Sequence, residues 1–448
     1  MDNFNILLKR FKSMKNFYLD KKDITPELLL KKYENLETIF ENEIVIQKLK
    51  QICIIKLNGG LGTTMGCTGP KSLIQVKNKM TFLDITIEQI LNIERKYKVK
   101  VPLILMNSFY TNNETKEVLD NYKNSGIIIH SFNQNCYPRI FKDNFNLVNV
   151  DSDPQTNPDC WYPPGHGDLL LCLKNNQDNI TNILKNYGIK YAFISNIDNL
   201  GATIDLKILN DIMDNNIDFA MELTKKTKND IKGGTLIEYQ GKSKLYEIAQ
   251  CNPKDLDEFR SLKKYANFNT NNIWIKLDSI LTIDNLLENV DIIVNYKKLK
   301  TGRECIQLEY AIGSTISFFN RIMNYLVPRS RFIPVKTTSD LFLVQSNIYD
   351  LMEGELVVNK DRYLPDLPII KLGPNLSTVQ EFSKKIKVLP NILELDNLTI
   401  SGEVIFGSDI TLRGNVIIIA ENGNSITLPN KSDLENKVIS GNLNILDQ

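Results

Sequence analysis

The sequence predicts an α/β chain: a mixed, mostly parallel sheet with helices on its faces, an N-terminal helical segment and a β-solenoid tail. Three observations carry this. Between about 51 and 350, short apolar runs alternate with amphipathic ones, the pattern of strands joined by crossover helices. The apolar run Ile52 to Ile55 leads straight into a glycine loop, Lys56-Leu-Asn-Gly-Gly-Leu-Gly-Thr-Thr-Met-Gly-Cys-Thr-Gly-Pro-Lys71-Ser. From about 390, β-branched rungs are divided by Gly or Asn every five to seven residues or so, as stacked solenoid coils require.

In order along the chain, residues 1–46 read as helical and polar, with Thr25-Pro26-Glu-Leu as a helix start because proline suits the first helical position. Predicted strands are Ile52–Leu57, Pro102–Met106, Gly126–Phe132, Tyr191–Ile197, Asp218–Leu223, Gly234–Tyr239, Leu245–Cys251 and Asn272–Ile275. Predicted helices are Phe82–Lys96, Asn113–Asn124, Asp205–Asn215, Ile306–Tyr325 and Asp340–Leu351. The rungs run from Leu395 to Ile419 and resume over Glu435–Leu446. Boundaries are placed at 1–46 for the helical segment, 47–370 for the main domain and 371–448 for the tail. Solenoid ends leave unpaired faces, so the tail is a candidate oligomer contact.

Composition excludes several classes. The 448 residues exceed one compact domain and are 42% hydrophobic, enough for a core. A net charge of +1 implies no polyanionic partner, and aromatics are not interleaved with basic runs as in a nucleic-acid groove. No apolar span suits a signal peptide or a membrane helix, so the chain reads as soluble, not secreted and not membrane-bound. The seven cysteines, at 53, 67, 136, 160, 172, 251 and 305, include no C-x-x-C pair. That pattern fits neither a zinc site nor a disulfide framework, and suits a reducing cytosol.

The glycine loop points to phosphate chemistry. Glycine lets backbone N–H groups approach an anion without a Cβ between them, and Lys71 supplies a cation. It is not a Walker A loop, because Pro70 separates Gly69 from Lys71. Nor is it a dinucleotide fingerprint: Gly60, Gly62 and Gly66 have the wrong spacing, and Pro70 breaks a helix starting there.

Other stretches supply further groups. In Trp161-Tyr-Pro-Pro-Gly-His166-Gly-Asp168, prolines stiffen a loop that bares His166 between two glycines, a donor suited to a phosphate or base. His130, the other histidine, lies on an apolar run and reads as a core residue. Phe193-Ile-Ser-Asn-Ile-Asp198 is a strand ending in a carboxylate, which at that end of a sheet can hold Mg²⁺ against phosphates. Pro328-Arg-Ser-Arg-Phe-Ile-Pro-Val-Lys336 reads as a proline-bounded strand with three cations, followed by Ser339 or Asp340 as a helix cap. Lys232-Gly-Gly-Thr235, Glu247-Ile-Ala-Gln and Asn269-Thr-Asn-Asn272 combine amides, a hydroxyl and a carboxylate, the groups hexose hydroxyls need.

Ten stretches in chain order resemble the UTP–glucose-1-phosphate uridylyltransferase family: LNGGLGTTMGCTGPKS, FNQNCYPRI, WYPPGHGD, FISNIDNLGAT, KGGTLIEYQG, EIAQ, FNTNNIW, GRECIQLE, VPRSRFIPVKTTSDL and ENKVISGNLNIL. The resemblance covers nearly everything beyond the N-terminal segment. It implies a Rossmann-like nucleotidyltransferase core and a C-terminal left-handed parallel β-helix. It implies Mg²⁺-dependent attack of the glucose-1-phosphate oxygen on the α-phosphorus of UTP, yielding UDP-glucose and pyrophosphate. On matching positions, Leu57, Gly59 and Gly60 would cradle the nucleotide, and Gln134 and Gly165 would contact uracil. His166 would meet the sugar phosphate and Asn196 the nucleotide or sugar. Gly234, Glu247 and Asn271 would bind glucose, Asp198 the metal, and Lys71 and Lys336 the phosphates. A cytoplasmic enzyme is implied, with small-molecule partners and no nucleic acid.

Two positions depart from the family pattern: Thr68 stands where Lys is expected, and Cys136 where Arg is expected. Thr68→Lys is expected to change the KM for UTP by less than about tenfold; a large fall in kcat would show that position misassigned. Rival readings are the same transfer to another sugar 1-phosphate and a catalytically silent scaffold. The presence of Lys71, His166, Asp198 and Lys336 argues against the scaffold.

Overall fold

The computed structural model describes every residue except 1, 15–17, 27–29, 38, 40–42, 150–151, 229, 422 and 442–448. Its contacts divide the chain into two compact units built from separated stretches. The first comprises Met1–Gly60, Ile93–Asn196 and Ala202–Phe332; the second comprises Leu61–Asn92, Ile197–Gly201 and Ile333–Gln448. The boundaries read from sequence texture, at 46 and 370, run along different lines. Packing explains why: Ile74, Phe82 and Ile333 share one apolar core with Leu398, Val404 and Ile418 of the tail. Phe4 and Leu7 are likewise buried in the core that holds Ile104 and Leu169.

The first unit is organised by an eight-stranded mixed sheet. Its order is Lys31–Lys32, Ile322–Leu326, Phe219–Lys225, Asn267–Lys276, Tyr191–Asn196, Ile52–Asn58, Leu103–Asn107 and Ile129–Asn133. Asn267–Lys276 runs antiparallel to both neighbours, and the other pairings are parallel. Ile52–Asn58 lies between two strands and is buried along its whole length. That is why it reads as a continuous apolar run rather than an alternating one. Asn196 pairs with Leu57, so the strand carrying Asn196 and the strand feeding Gly59 end on the same edge of the sheet, where α/β proteins bind ligands.

Helices follow their local signals where caps agree with periodicity. Leu206–Asp214 starts at Asp205, whose carboxylate accepts from the backbone N–H groups of Lys207 at 2.9 Å and Ile208 at 3.1 Å. Phe82–Tyr97 buries Phe82, Leu83, Ile85, Ile87 and Ile90, the spacing of one helical face.

Several expectations are corrected. Thr25-Pro26 does not open a helix: Ile24–Pro26 is a short strand paired antiparallel with Tyr239, Glu238 and Ile237, and Glu27 and Leu28 lie outside the described residues. The 1–46 segment is therefore only partly helical. Ile306–Tyr325 is a strand, a 3₁₀ turn and another strand, Glu304–Glu309, Ile312–Phe318 and Ile322–Leu326; short apolar runs carry no decisive period. Leu245–Cys251 is displaced: the strand is Lys242–Tyr246 and Ile248–Gln250 is a 3₁₀ turn. His130 is half-buried on the edge strand Ile129–Asn133, with Nε2 3.4 Å from the Tyr187 hydroxyl, rather than in the core.

In the second unit the helix is Thr338–Gln345, and Tyr349–Met352 beyond it is a strand. Its cap is Thr337, not Ser339 or Asp340; Asp340 occupies the third helical position and closes a capping box. The tail strands pair in parallel, each with one further along: Ile370 opposite Leu398, Ile400 opposite Ile418, and Ile418 opposite Ile439. A separate parallel pair joins Glu403–Phe406 to Ser425–Leu428. Alternate residues, including Leu398, Ile400, Val416 and Ile418, are buried. The last expected rung residues, 442–446, lie outside the described residues.

Candidate active site

In the first unit, the residues read as nucleotide contacts converge. Leu57 is buried at the end of its strand, and Gly59 and Gly60 follow. A Cβ on Gly59 would lie 2.1 Å from Gln134 Nε2, so the glycine is required for the amide to lie against the backbone. Ser108 Oγ donates to the Gly59 carbonyl at 2.7 Å, and Gln134 N–H donates to the Asn107 carbonyl at 2.8 Å. Gln134 is buried, yet its Oε1 has no partner. A buried acceptor or donor left unmade costs about 1–3 kcal/mol, so this amide is poised for a ligand. Gly59→Ala is expected to leave the fold intact, because only the flexible end of Gln134 must move. It is expected to raise the KM for UTP about tenfold and leave that for the sugar phosphate unchanged. Steady-state kinetics check this, and an unaltered UTP KM would remove Gln134 from the nucleotide site.

Asp168 ties the Gln134 and His166 loops together, a role the sequence did not disclose. Its carboxylate accepts from Asn135 N–H at 2.6 Å, from Asn135 Nδ2 and from the Tyr310 hydroxyl at 2.6 Å. Burial pushes the Asp168 carboxyl up, opposed by those hydrogen bonds. Gly165 has φ +92°, and a Cβ there would lie 2.7 Å from the Tyr310 carbonyl; no other residue suits that position. His166 Nδ1 accepts from Ile312 N–H at 3.1 Å, which places the proton of a neutral imidazole on Nε2.

The sugar-reading residues pair off in the same unit. Asn271 has φ +60° and its Nδ2 donates to Asn196 Oδ1 at 3.0 Å. Its Oδ1 is buried and without a partner. A Cβ on Gly234 would lie 2.5 Å from Glu247 Oε1, so the carboxylate rests directly over the Gly234 backbone. Glu247 N–H in turn donates to Gln250 Oε1 at 3.0 Å, half of a capping box that fixes its backbone.

In the second unit the glycine loop closes as a 3₁₀ turn, Thr63–Met65, ending at Gly66 in the left-handed region, and Lys71 opens the next turn, Lys71–Leu73. The Lys71 ammonium is paired with Asp198 Oδ2. Asp198 is 8% exposed and its Oδ1 has no partner. Val335 N–H donates to the Asp198 carbonyl at 3.3 Å, which ties that turn to the segment bearing Lys336. The Lys336 carbonyl accepts from Thr64 Oγ1 at 3.2 Å and its side chain is exposed. Thr68 is exposed, and Cys136 is half-buried with its thiol pushed up to about 12 by burial. Burial likewise raises Cys67 against the pull of Lys71.

The cation cluster at 328–336 is not one site. Arg329–Arg331 is a 3₁₀ turn rather than a strand. Arg329 pairs with Asp230 and Arg331 with Glu222, whereas the Lys336 side chain is exposed. No local pattern marks these partners, which lie about a hundred residues away.

Comparison with known proteins places the chain in a family. The family model for UTP–glucose-1-phosphate uridylyltransferase matches residues 1–413. The chain is 48% identical over 446 residues to UTP–glucose-1-phosphate uridylyltransferase 2 of Dictyostelium discoideum, covering 98% of this chain and 88% of that one. It is 44% identical over 456 aligned positions to the Saccharomyces cerevisiae UTP–glucose-1-phosphate uridylyltransferase, covering 100% and 90%. Among solved structures, a UDP-glucose phosphorylase from Trypanosoma brucei has a TM-score of 0.86 at 36% identity, with 98% and 95% of the two chains covered. A Leishmania major UDP-glucose pyrophosphorylase variant in complex with UDP-glucose has the same TM-score at 30% identity, with 98% and 95% covered. The chain belongs to the UTP–glucose-1-phosphate uridylyltransferase family.

Proposed function

We propose that this chain makes UDP-glucose and pyrophosphate from UTP and glucose-1-phosphate. Family membership over nearly the whole chain is the observation that carries it. The residue roles rest on the geometry. Gln134, beside Gly59 and Gly60, and Gly165 hold the uracil; the unpartnered Gln134 Oε1 accepts from it. Asn271 Oδ1 and Glu247 accept from sugar hydroxyls, with Gly234 giving them room. In the first unit His166 meets the sugar phosphate, and Asn196 positions the ligand through Asn271; in the second, Lys336 meets the sugar phosphate or the α-phosphate. Lys71 meets the UTP phosphates.

In the reaction an oxygen of glucose-1-phosphate forms a new bond to the α-phosphorus, and the bond from that phosphorus to the β-phosphate oxygen breaks. A phosphate monoester needs no base to act as nucleophile, so the protein contributes orientation and cations. Asp198 would hold Mg²⁺: its buried, unpartnered Oδ1 is a hard oxygen donor, and a single carboxylate completed by phosphates and water is the set this ion takes. When bound, the ion would neutralise charge on the phosphates. Lys71 holds the carboxylate in place in the free chain.

The core is proposed to be of the Rossmann-like nucleotidyltransferase type, and the parallel rungs of the tail to wind as a left-handed β-helix; the pairing of Ile400, Ile418 and Ile439 in successive coils supports this. Exposed Val438 and Ile419 make that tail the proposed oligomer contact, testable by light scattering over a concentration range. All seven cysteines are free thiols, which supports a cytoplasmic placement.

The deciding experiment is pyrophosphate release from UTP and Mg²⁺ with a panel of sugar 1-phosphates, beside Asp198→Ala. Release with glucose-1-phosphate, lost in the variant, is expected. Release with another sugar alone would correct the substrate, and no release with any sugar would overturn the reading.

A further inference from the structure

The two arginines in the same cationic stretch as Lys336 have another task. We infer that Arg329 and Arg331 are positioning residues that clamp the Gly234 loop and the Asn271 bulge, and so set the shape of the sugar pocket. The inference rests on the assignment of those two elements to the sugar.

Arg331 acts on Asn271. Where Phe219–Lys225 pairs with Asn267–Lys276, the register shifts between Met221 and Leu223: Met221 faces Ile273, and Leu223 faces Asn269. Glu222 alone therefore stands against Thr270, Asn271 and Asn272. Such a bulge re-aims a side chain, and here it puts Asn271 at φ +60° with its amide turned to Asn196. Asparagine tolerates that region, but it stays there only where its surroundings over-determine it. The surroundings are a fully buried carboxylate. Glu222 is 0% exposed and accepts from Trp274 Nε1 at 2.9 Å, from Asn272 Nδ2 at 3.1 Å, and from Arg331 Nε at 2.7 Å and Nη2 at 2.6 Å. Asn272 Nδ2 also donates to the Arg331 carbonyl at 3.1 Å. Both residues flanking the strained one are thereby fastened, and Thr270 Oγ1 donates to the Glu222 carbonyl at 2.7 Å. Burial pulls the Arg331 guanidinium down, but Glu222 and Asp205 more than offset it, so the clamp stays charged.

Arg329 acts on Gly234. Its guanidinium makes a two-pronged contact with Asp230, at 2.7 and 3.2 Å. Asp230 accepts from Thr227 N–H and Oγ1 at 3.0 and 2.6 Å, and its carbonyl accepts from Gly233 N–H at 2.9 Å. Thr227 and Gly233 are thus both tied to Asp230, whose carboxylate Arg329 holds. The same guanidinium lies 5.0 Å from the Phe332 ring centre, and Phe332 packs on Phe268 at 5.1 Å. Phe268 fills the space a Cβ on Gly233 would need, at 1.8 Å. Gly234 then returns to the bulged strand, its carbonyl accepting from Asn269 N–H at 3.0 Å. One 3₁₀ turn therefore anchors both sugar-reading elements.

The test uses Arg329→Gln and Asp230→Asn, singly and together, since Arg329 is only partly buried and the variants keep the core. Two readouts are needed: amide hydrogen exchange, and kinetics with UTP, glucose-1-phosphate and galactose-1-phosphate. Exchange across Thr227–Gly234 is expected to quicken. The KM for glucose-1-phosphate should rise about tenfold while that for UTP stays within about twofold. Preference for glucose over its epimer should fall, and the double variant should be no worse than either single one. Unchanged exchange, or an equal rise in both KM values, overturns the clamp. Faster exchange with the sugar KM untouched overturns the assignment of Gly234 to the sugar and the positioning role built on it.

Discussion

Lys71→Ala is expected to lower kcat by about 10²–10³-fold, the cost of removing one preorganised donor from a site where negative charge develops. The structure makes this lysine more than a surface cation. It follows Pro70 into a 3₁₀ turn, its side chain is largely buried, and its ammonium is paired with Asp198. In the free chain the pair keeps two partly buried charges from standing alone. On the proposed assignment the ammonium would serve the phosphates while the carboxylate serves a cation. Alanine would then remove the positive charge and leave Asp198 as an unmatched anion beside the phosphates, adding repulsion to lost attraction. The loss should therefore fall on kcat and kcat/KM together, as for a group acting in the transition state. Pyrophosphate release under saturating UTP and glucose-1-phosphate measures it, with circular dichroism as the control for fold. A kcat within about threefold of the parent chain would exclude Lys71 from the chemistry.

The second large effect is on stability. Arg331→Leu is expected to destabilise the first unit by about 3–5 kcal/mol, because it strands a buried carboxylate without its counter-charge. Glu222 would keep only Trp274 and Asn272 as donors. The size of the penalty reflects an uncompensated buried charge rather than the worth of the pair, so the double variant Glu222→Leu/Arg331→Leu should recover much of the loss. Both tryptophans, Trp161 and Trp274, belong to the first unit, so tryptophan fluorescence during urea unfolding reports on that unit alone. A shift of less than about 1 kcal/mol in the single variant would show that water reaches Glu222.

The glycine loop, the histidine loop and the strand leading to Asp198 were legible because each is local: residue type and backbone requirement lie within about fifteen residues. The same holds for the central strands. Ile52–Asn58 and Tyr191–Asn196 are buried on both faces, and continuous apolar runs mark them. Asp168 was visible as a letter in WYPPGHGD but not as a hub, since its partners Asn135 and Tyr310 come from other segments. The helix expected over Ile306–Tyr325 failed for a related reason: Glu304–Glu309 is a strand because Ile293–Lys298 and Ile140–Phe141 offer it edges to pair with.

The sequence by itself determined the mixed α/β fold class and the family, because these rest on periodicity and ordered motifs. Tertiary structure alone decided which cations are ion-paired. Arg329, Arg331 and Lys336 stand within a few residues of one another and look alike as charges. Only the fold brings Asp230 and Glu222 to the first two and leaves Lys336 exposed. Local propensity spans a few residues, whereas a charge is neutralised by whatever the folded chain places beside it, and that placement is fixed by packing across about a hundred residues of chain.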